Sequence, residues 1–299
     1  MNKKNILILI AFLVLGVGGL VLGMNMNTFK EKYQGIVKAK SDAKALATIT
    51  DIASRVVPKE GFSLPVSWGD YGPKLVEAGV IDMAQFEKAV HLTDEQKKIL
   101  TEGSSDNLKI DASNSQFVVD FLWALGLAQK SIIYDQGPLG TDYKGQEGSF
   151  ASTGGWTLAK GDAVNYLNKF DLIPLTAEQQ DEVARISKGV YRPCCDNPTW
   201  FPDCNHGMAT LAAIELLVSK SVPENDIYRY ILDINSFWFS QTYITNAYYM
   251  KTTRGQEWDK VDAKEMLGKD FSSYTGASDI AKKTGPLPQN AVGGGSCGT

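Results

Sequence analysis

Met208-Ala209-Thr210-Leu211-Ala212-Ala213-Ile214-Glu215-Leu216-Leu217-Val218 is apolar almost all the way round. A helix without a polar face has no stable place at a surface, so this stretch predicts a buried helix at the centre of the fold. Phe117-Val118-Val119-Asp120-Phe121-Leu122-Trp123-Ala124-Leu125-Gly126-Leu127 has the same character. It is too short to cross a bilayer and reads as a second central helix within 114–130. No clear alternating strand pattern flanks either stretch, and the expected fold class of the folded body is all-α.

Immediately before the first of these helices runs Tyr191-Arg192-Pro193-Cys194-Cys195-Asp196-Asn197-Pro198-Thr199-Trp200-Phe201-Pro202-Asp203-Cys204-Asn205-His206-Gly207. It holds three of the four cysteines and one of the two histidines. Pro193, Pro198 and Pro202 break helix and remove backbone donors, which gives a loop of fixed shape. Asp203 or Asn205 can cap the following helix. Either choice sets Cys204 and His206 at its N-terminus, where free N–H groups and the positive dipole end favour a thiolate.

Further out, 28–57 reads as a helix or helix pair ended by Pro58 and Gly61, and 63–73 as loop. Short helices are expected at 73–78, 82–90 and 93–102, the last opened by a Thr93/Gln96 capping box. The stretch 134–156 is glycine-rich, lacks periodicity and reads as a long loop. Helices are expected at 159–170 and at 176–190, where Thr176 and Gln179 form a second capping box. A long aromatic helical region opens at Pro223, with a short helix at 262–267. From 271 onward small residues dominate, which predicts a flexible glycine-rich tail, 271–299, carrying Cys297.

The other end is different. Residues 6–24 form an unbroken run of 19 residues without a charged or polar side chain, preceded by Lys3 and Lys4. At 1.5 Å per residue the run is roughly 28 Å, close to the hydrocarbon thickness of a bilayer. The expectation is a single N-terminal transmembrane helix, a signal-anchor over 1–27, followed by one exported multi-helix domain with long loops over 28–270. Cleavage of the run as a signal peptide, leaving a secreted chain, is the competing reading. Either way the cysteines face an extracytoplasmic compartment, where disulfides form. A formal net charge of −4 gives no basic footprint, and no phosphate-cradling glycine loop appears, so neither nucleic acid nor nucleotide is expected as a partner.

Cys194, Cys195, Cys204 and His206, joined by Cys297, make a donor set suited to a soft or borderline metal ion: Zn(II), Cu(I) or a heavier thiophile. The leading expectation is binding such an ion, or passing it to a partner protein, with Asp203 or Asn205 in support. A thiol–disulfide relay is the alternative, with Cys204 attacking, His206 as its base and Cys297 resolving, against a thiol partner. The third reading is a scaffold whose cysteines staple the loop, most simply Cys195–Cys204 or Cys194–Cys204. Asp120, Glu215 and Asp233 lie in apolar surroundings and are expected mostly as the wet positions of their helices.

Overall fold

The computed structural model describes residues 3–287, with side chains from residue 30 onward. Among the described residues there are thirteen α-helices and one two-stranded sheet. In order they are α1 (Lys3–Val56), β1 (Phe62–Gly69), α2 (Tyr71–Ala78), α3 (Met83–Val90), α4 (Asp94–Thr101), β2 (Ser104–Ile110), α5 (Ser115–Ala128) and α6 (Ile132–Gln136). There follow α7 (Ala177–Gly189), α8 (Asn205–Ser219), α9 (Glu224–Trp238), α10 (Ser240–Arg254), α11 (Ala263–Leu267), α12 (Lys269–Ser272) and α13 (Tyr274–Thr284). Among the described residues two compact units are present, 3–50 and 51–287. In the first, the described backbone is the helical part of α1; the second holds all the other elements.

At the centre of the larger unit α5 lies along α8, flanked by α7 and α9. Both central helices are apolar on every face, and nearly all their residues are buried. Gly126 makes the close approach possible: a Cβ there would sit 2.4 Å from the Met208 carbonyl oxygen. The Tyr134 hydroxyl donates to the Gly126 carbonyl at 2.8 Å and also contacts Met208 Sδ at 2.7 Å, bracing the same crossing from α6. The capping boxes at Thr93/Gln96 and Thr176/Gln179 are both formed.

The transmembrane, all-α fold expected from the sequence needs correction. Among the described residues no helix is long and apolar enough to cross a membrane. The side chains of the apolar run 6–24 lie outside the described residues. The body is also not purely helical. In β1, Leu64, Val66 and Trp68 point inward and their neighbours outward, a period of two that Pro65 and Gly69 disguise as loop. β1 pairs antiparallel with β2, and the register shifts between Ser63 and Ser67, around the proline that has no N–H to give. Trp68 then packs tilted against Phe117 and edge-on to Phe121 of α5, at ring separations of 5.6 and 5.1 Å.

Two helical expectations also change. Residues 159–170 hold only a 3₁₀ turn, Ala163–Tyr166, because Gly161 and Asn168 adopt positive φ on either side of it. Conversely, the stretch from 271 is ordered as far as the structure describes it. Ser273 caps α13, and a Cβ on Gly276 would lie 2.2 Å from the Lys269 carbonyl oxygen, so that glycine serves close packing against α12. The long loop 134–156 is held down by two indoles: Trp156 Nε1 donates to Val80 O at 2.7 Å and Trp123 Nε1 to Ser152 O at 2.6 Å.

Glu215 is not a wet position. It is fully buried, and burial lifts its pKa to about 8 against the opposing contact of Ser131. Asp120 and Asp233 are each raised to about 6 by burial, against the opposing contacts of Gln116 and Arg229. Below its ordinary value of 4.5, Glu215 is neutral whether the chain is folded or unfolded. As pH rises from there toward 8, only the unfolded chain ionises, so stability falls across that window. Glu215→Gln should therefore raise the unfolding free energy at pH 8 by roughly 2–5 kcal/mol and leave it little changed at pH 4.5. Urea unfolding at the two pH values measures the difference; an equal effect at both would contradict a neutral buried carboxyl.

Candidate metal centre

The loop between α7 and α8 is built around one side chain. Arg192 is completely buried, and every polar edge of its guanidinium is used. Nε donates to Cys204 Sγ at 3.2 Å, Nη1 to the Asn197 carbonyl at 2.9 Å, and Nη2 to the Phe201 carbonyl at 3.2 Å and to Asp203 Oδ1. Asp203 Oδ2 accepts from Asn197 Nδ2 at 2.8 Å, closing the ring of contacts. A buried cation is tolerated only with such pairing. The loop therefore curls round the guanidinium, with its prolines fixing the corners.

Gly207, on the first turn of α8, makes room for this group. A Cβ there would meet the guanidinium carbon at 2.6 Å. Cys204 itself is the N-cap of α8, its sulfur accepting from Gly207 N at 3.4 Å, whereas the sequence suggests Asp203 or Asn205 for that role. Those two are occupied elsewhere: Asp203 pairs with Arg192, and Asn205 Oδ1 accepts from the His206 amide at 2.8 Å. From the other side the start of α13 clamps the loop. Tyr274 N donates to the Cys195 carbonyl at 2.9 Å, and Asp196 accepts from the Thr275 amide and hydroxyl, both at 2.8 Å. The 134–156 loop supports it as well, through Tyr143 stacked on Phe201 at 5.3 Å and Ser152 N donating to Asp203 O at 3.2 Å.

This framework brings the sulfurs of Cys194, Cys195 and Cys204 within 4.8 Å of one another. Cys194 and Cys204 are 3.4 Å apart, and among the described residues none of the three is joined in a disulfide. Hydrogen bonds from Cys194 and Cys195 hold Cys204 well below the ordinary thiol range, and the adjacent Arg192 adds to them against the opposing effect of burial. Cys194 is pushed up by its hydrogen bonds with Cys195 and Cys204. For Cys195 the contact with Cys194 lowers the value, but Cys204 and burial outweigh it and lift it to about 11. Of the three sulfurs, Cys204 is thus the one whose thiolate is most favoured. Cys194 is exposed, Cys195 and Cys204 half-buried, so the cluster opens to solvent on one side.

Such a group of sulfurs can hold a metal ion. Thiolates at about 2.3 Å from a tetrahedral Zn(II) stand about 3.8 Å apart, within the spacing seen. His206 is placed differently. Its ring packs between Trp238 and Phe239, at 5.6 and 4.5 Å, Nε2 has no hydrogen-bond partner, and burial lowers its pKa to about 4. It does not belong to the group of converging donors. Cys297 lies outside the described residues. Sequence reasoning missed Arg192, although a lone cation beside adjacent cysteines, eleven residues before an aspartate, was a usable signal. It also passed over Gly207, Asn197 and the Asp196–Thr275 clamp. No family model, curated protein or solved structure matches the chain.

Gly207→Ala should displace the guanidinium from Cys204, costing about 1–3 kcal/mol of stability and raising the pH at which Cys204 becomes a thiolate. The pH profile of alkylation, with the modified cysteine located by mass spectrometry, checks this; an unshifted Cys204 profile would show that Arg192 does not set its charge.

Proposed function

We propose that the protein binds one soft, thiophilic metal or metalloid ion through Cys194, Cys195 and Cys204, and hands it on by ligand exchange. The observation that carries this reading is the convergence of three free sulfurs within 4.8 Å, on a frame with no other evident use for them. Soft thiolates select soft ions. Ligating sulfurs must be thiolates, so uptake releases protons and weakens at low pH. The exposed Cys194 edge gives an entering thiol access, which suits transfer better than permanent storage. Cys297 is proposed as such an exchanging thiol, not as a permanent ligand. His206 is assigned no ligand role in this reading, because its ring faces Trp238 and Phe239.

A second reading, thiol–disulfide exchange, is favoured by the 3.4 Å contact between a stabilised Cys204 thiolate and Cys194. Cys204 would attack a partner disulfide and release one partner thiolate. Cys194 would then lose its proton, attack the mixed disulfide and release the second thiol, leaving Cys194–Cys204 oxidised.

Reduced, metal-free protein titrated with Cd(II) should show thiolate-to-metal absorption saturating at one ion per chain. Cys204→Ser should weaken binding by at least about 100-fold, roughly 2.7 kcal/mol. Cys297→Ser should leave equilibrium binding within about threefold but slow transfer to a competing dithiol. No uptake by the wild-type chain, together with a mixed disulfide trapped in Cys194→Ser, would favour exchange chemistry instead.

A further inference from the structure

We propose that the ion this site is shaped for is a trivalent pnictogen, taken up from its neutral hydroxide, arsenite or antimonite, as a three-sulfur complex. The inference rests on the reading of Cys194, Cys195 and Cys204 as ligands. Two separate features of the site, its donor number and its charge balance, point the same way.

The first is donor number. Among the described residues, the converging donors are the three sulfurs. The Asp203 carboxylate lies 3.7 Å from Cys195 Sγ through Oδ1, but Oδ1 is held by Arg192 and Oδ2 by Asn197. The His206 ring is buried against Trp238 and Phe239. Structural Zn(II) takes four ligands. A trivalent pnictogen carries a lone pair in the fourth direction, so three sulfurs on one side complete its coordination, and the lone pair can face the open Cys194 edge.

The second is charge. The buried guanidinium of Arg192 is matched by Asp203, leaving no net charge from that pair. Three thiolates then bring three negative charges. A monovalent ion would leave two uncompensated and a divalent ion one, whereas a trivalent ion leaves none. The N-terminus of α8, reaching Cys204 through Gly207 N–H, offers only about half a positive charge. Uncompensated charge in a half-buried pocket is unfavourable, which ranks the trivalent centre first.

The step balances without an oxidant. M(OH)3 reacts with the three cysteine thiols to give M(SR)3 and three waters. Three M–O bonds break, three M–S bonds form, and the oxidation state of M is unchanged. Each departing hydroxide takes up one thiol proton.

The test uses the full-length reduced chain, titrated separately with arsenite, antimonite, Zn(II) and Cd(II), with free thiols counted after each addition. We expect one pnictogen per chain, a fall in reactive thiols from four to one, and arsenite held at least about 100-fold more tightly than Zn(II). Cys194→Ser and Cys195→Ser should each lose at least about 100-fold in arsenite affinity with an unchanged circular dichroism spectrum, and Cys297→Ser should bind arsenite like the wild type. If Cd(II) or Zn(II) binds through these cysteines while arsenite and antimonite protect fewer than three thiols, the pnictogen assignment fails and the metal site stands. Protection of all four thiols, with affinity lost in Cys297→Ser, also overturns it. If none of the four ions is held, both readings fall together.

Discussion

The buried guanidinium of Arg192 is the constraint from which the cysteine loop follows. Taking a cation wholly out of water is tolerable only when each of its nitrogens finds an acceptor and a counter-charge lies close. Asn197, Phe201, Asp203 and Cys204 meet that demand from a single stretch of chain. Satisfying the cation therefore fixes the path of the loop, and fixing the path brings the sulfurs together. The same group tunes one of them, because a positive charge beside Cys204 favours its thiolate.

Such a loop needs a rigid base. The α5–α8 crossing supplies it, with Gly126 allowing helix backbones to approach where a side chain would hold them apart. A close-packed interior compresses little, so the N-terminal turn of α8, where Cys204 and Gly207 sit, stands on a stiff base. Clamps from α13 and from the 134–156 loop hold the opposite side. The ordered framework contrasts with the exposed position of Cys194, the open edge on which the proposed ligand exchange rests.

Much of this was legible in the sequence for local reasons. The two apolar stretches announced buried helices, the capping boxes placed two helix starts, and three cysteines in a proline-rich loop marked the site. What was not legible depended on contacts distant along the chain. Pro65 hid a strand whose Trp68 meets α5, Gly276 looked like a flexible position and is a packing one, and Glu215 looked solvated because its helix carries no other charge. His206 stood two residues from a cysteine, yet a helical turn directs it toward Trp238 and Phe239. The reading of 1–27 as a transmembrane anchor followed from hydropathy alone, and no described helix supports a span.

The central claim is that three sulfurs, and no imidazole, surround a bound ion. X-ray absorption spectroscopy of the full-length protein loaded with one equivalent of a thiophilic ion tests it most directly. The account predicts a nearest-neighbour shell of three sulfur atoms without the outer-shell scattering of a histidine ring. A shell holding nitrogen from an imidazole, or only two sulfurs, would contradict it.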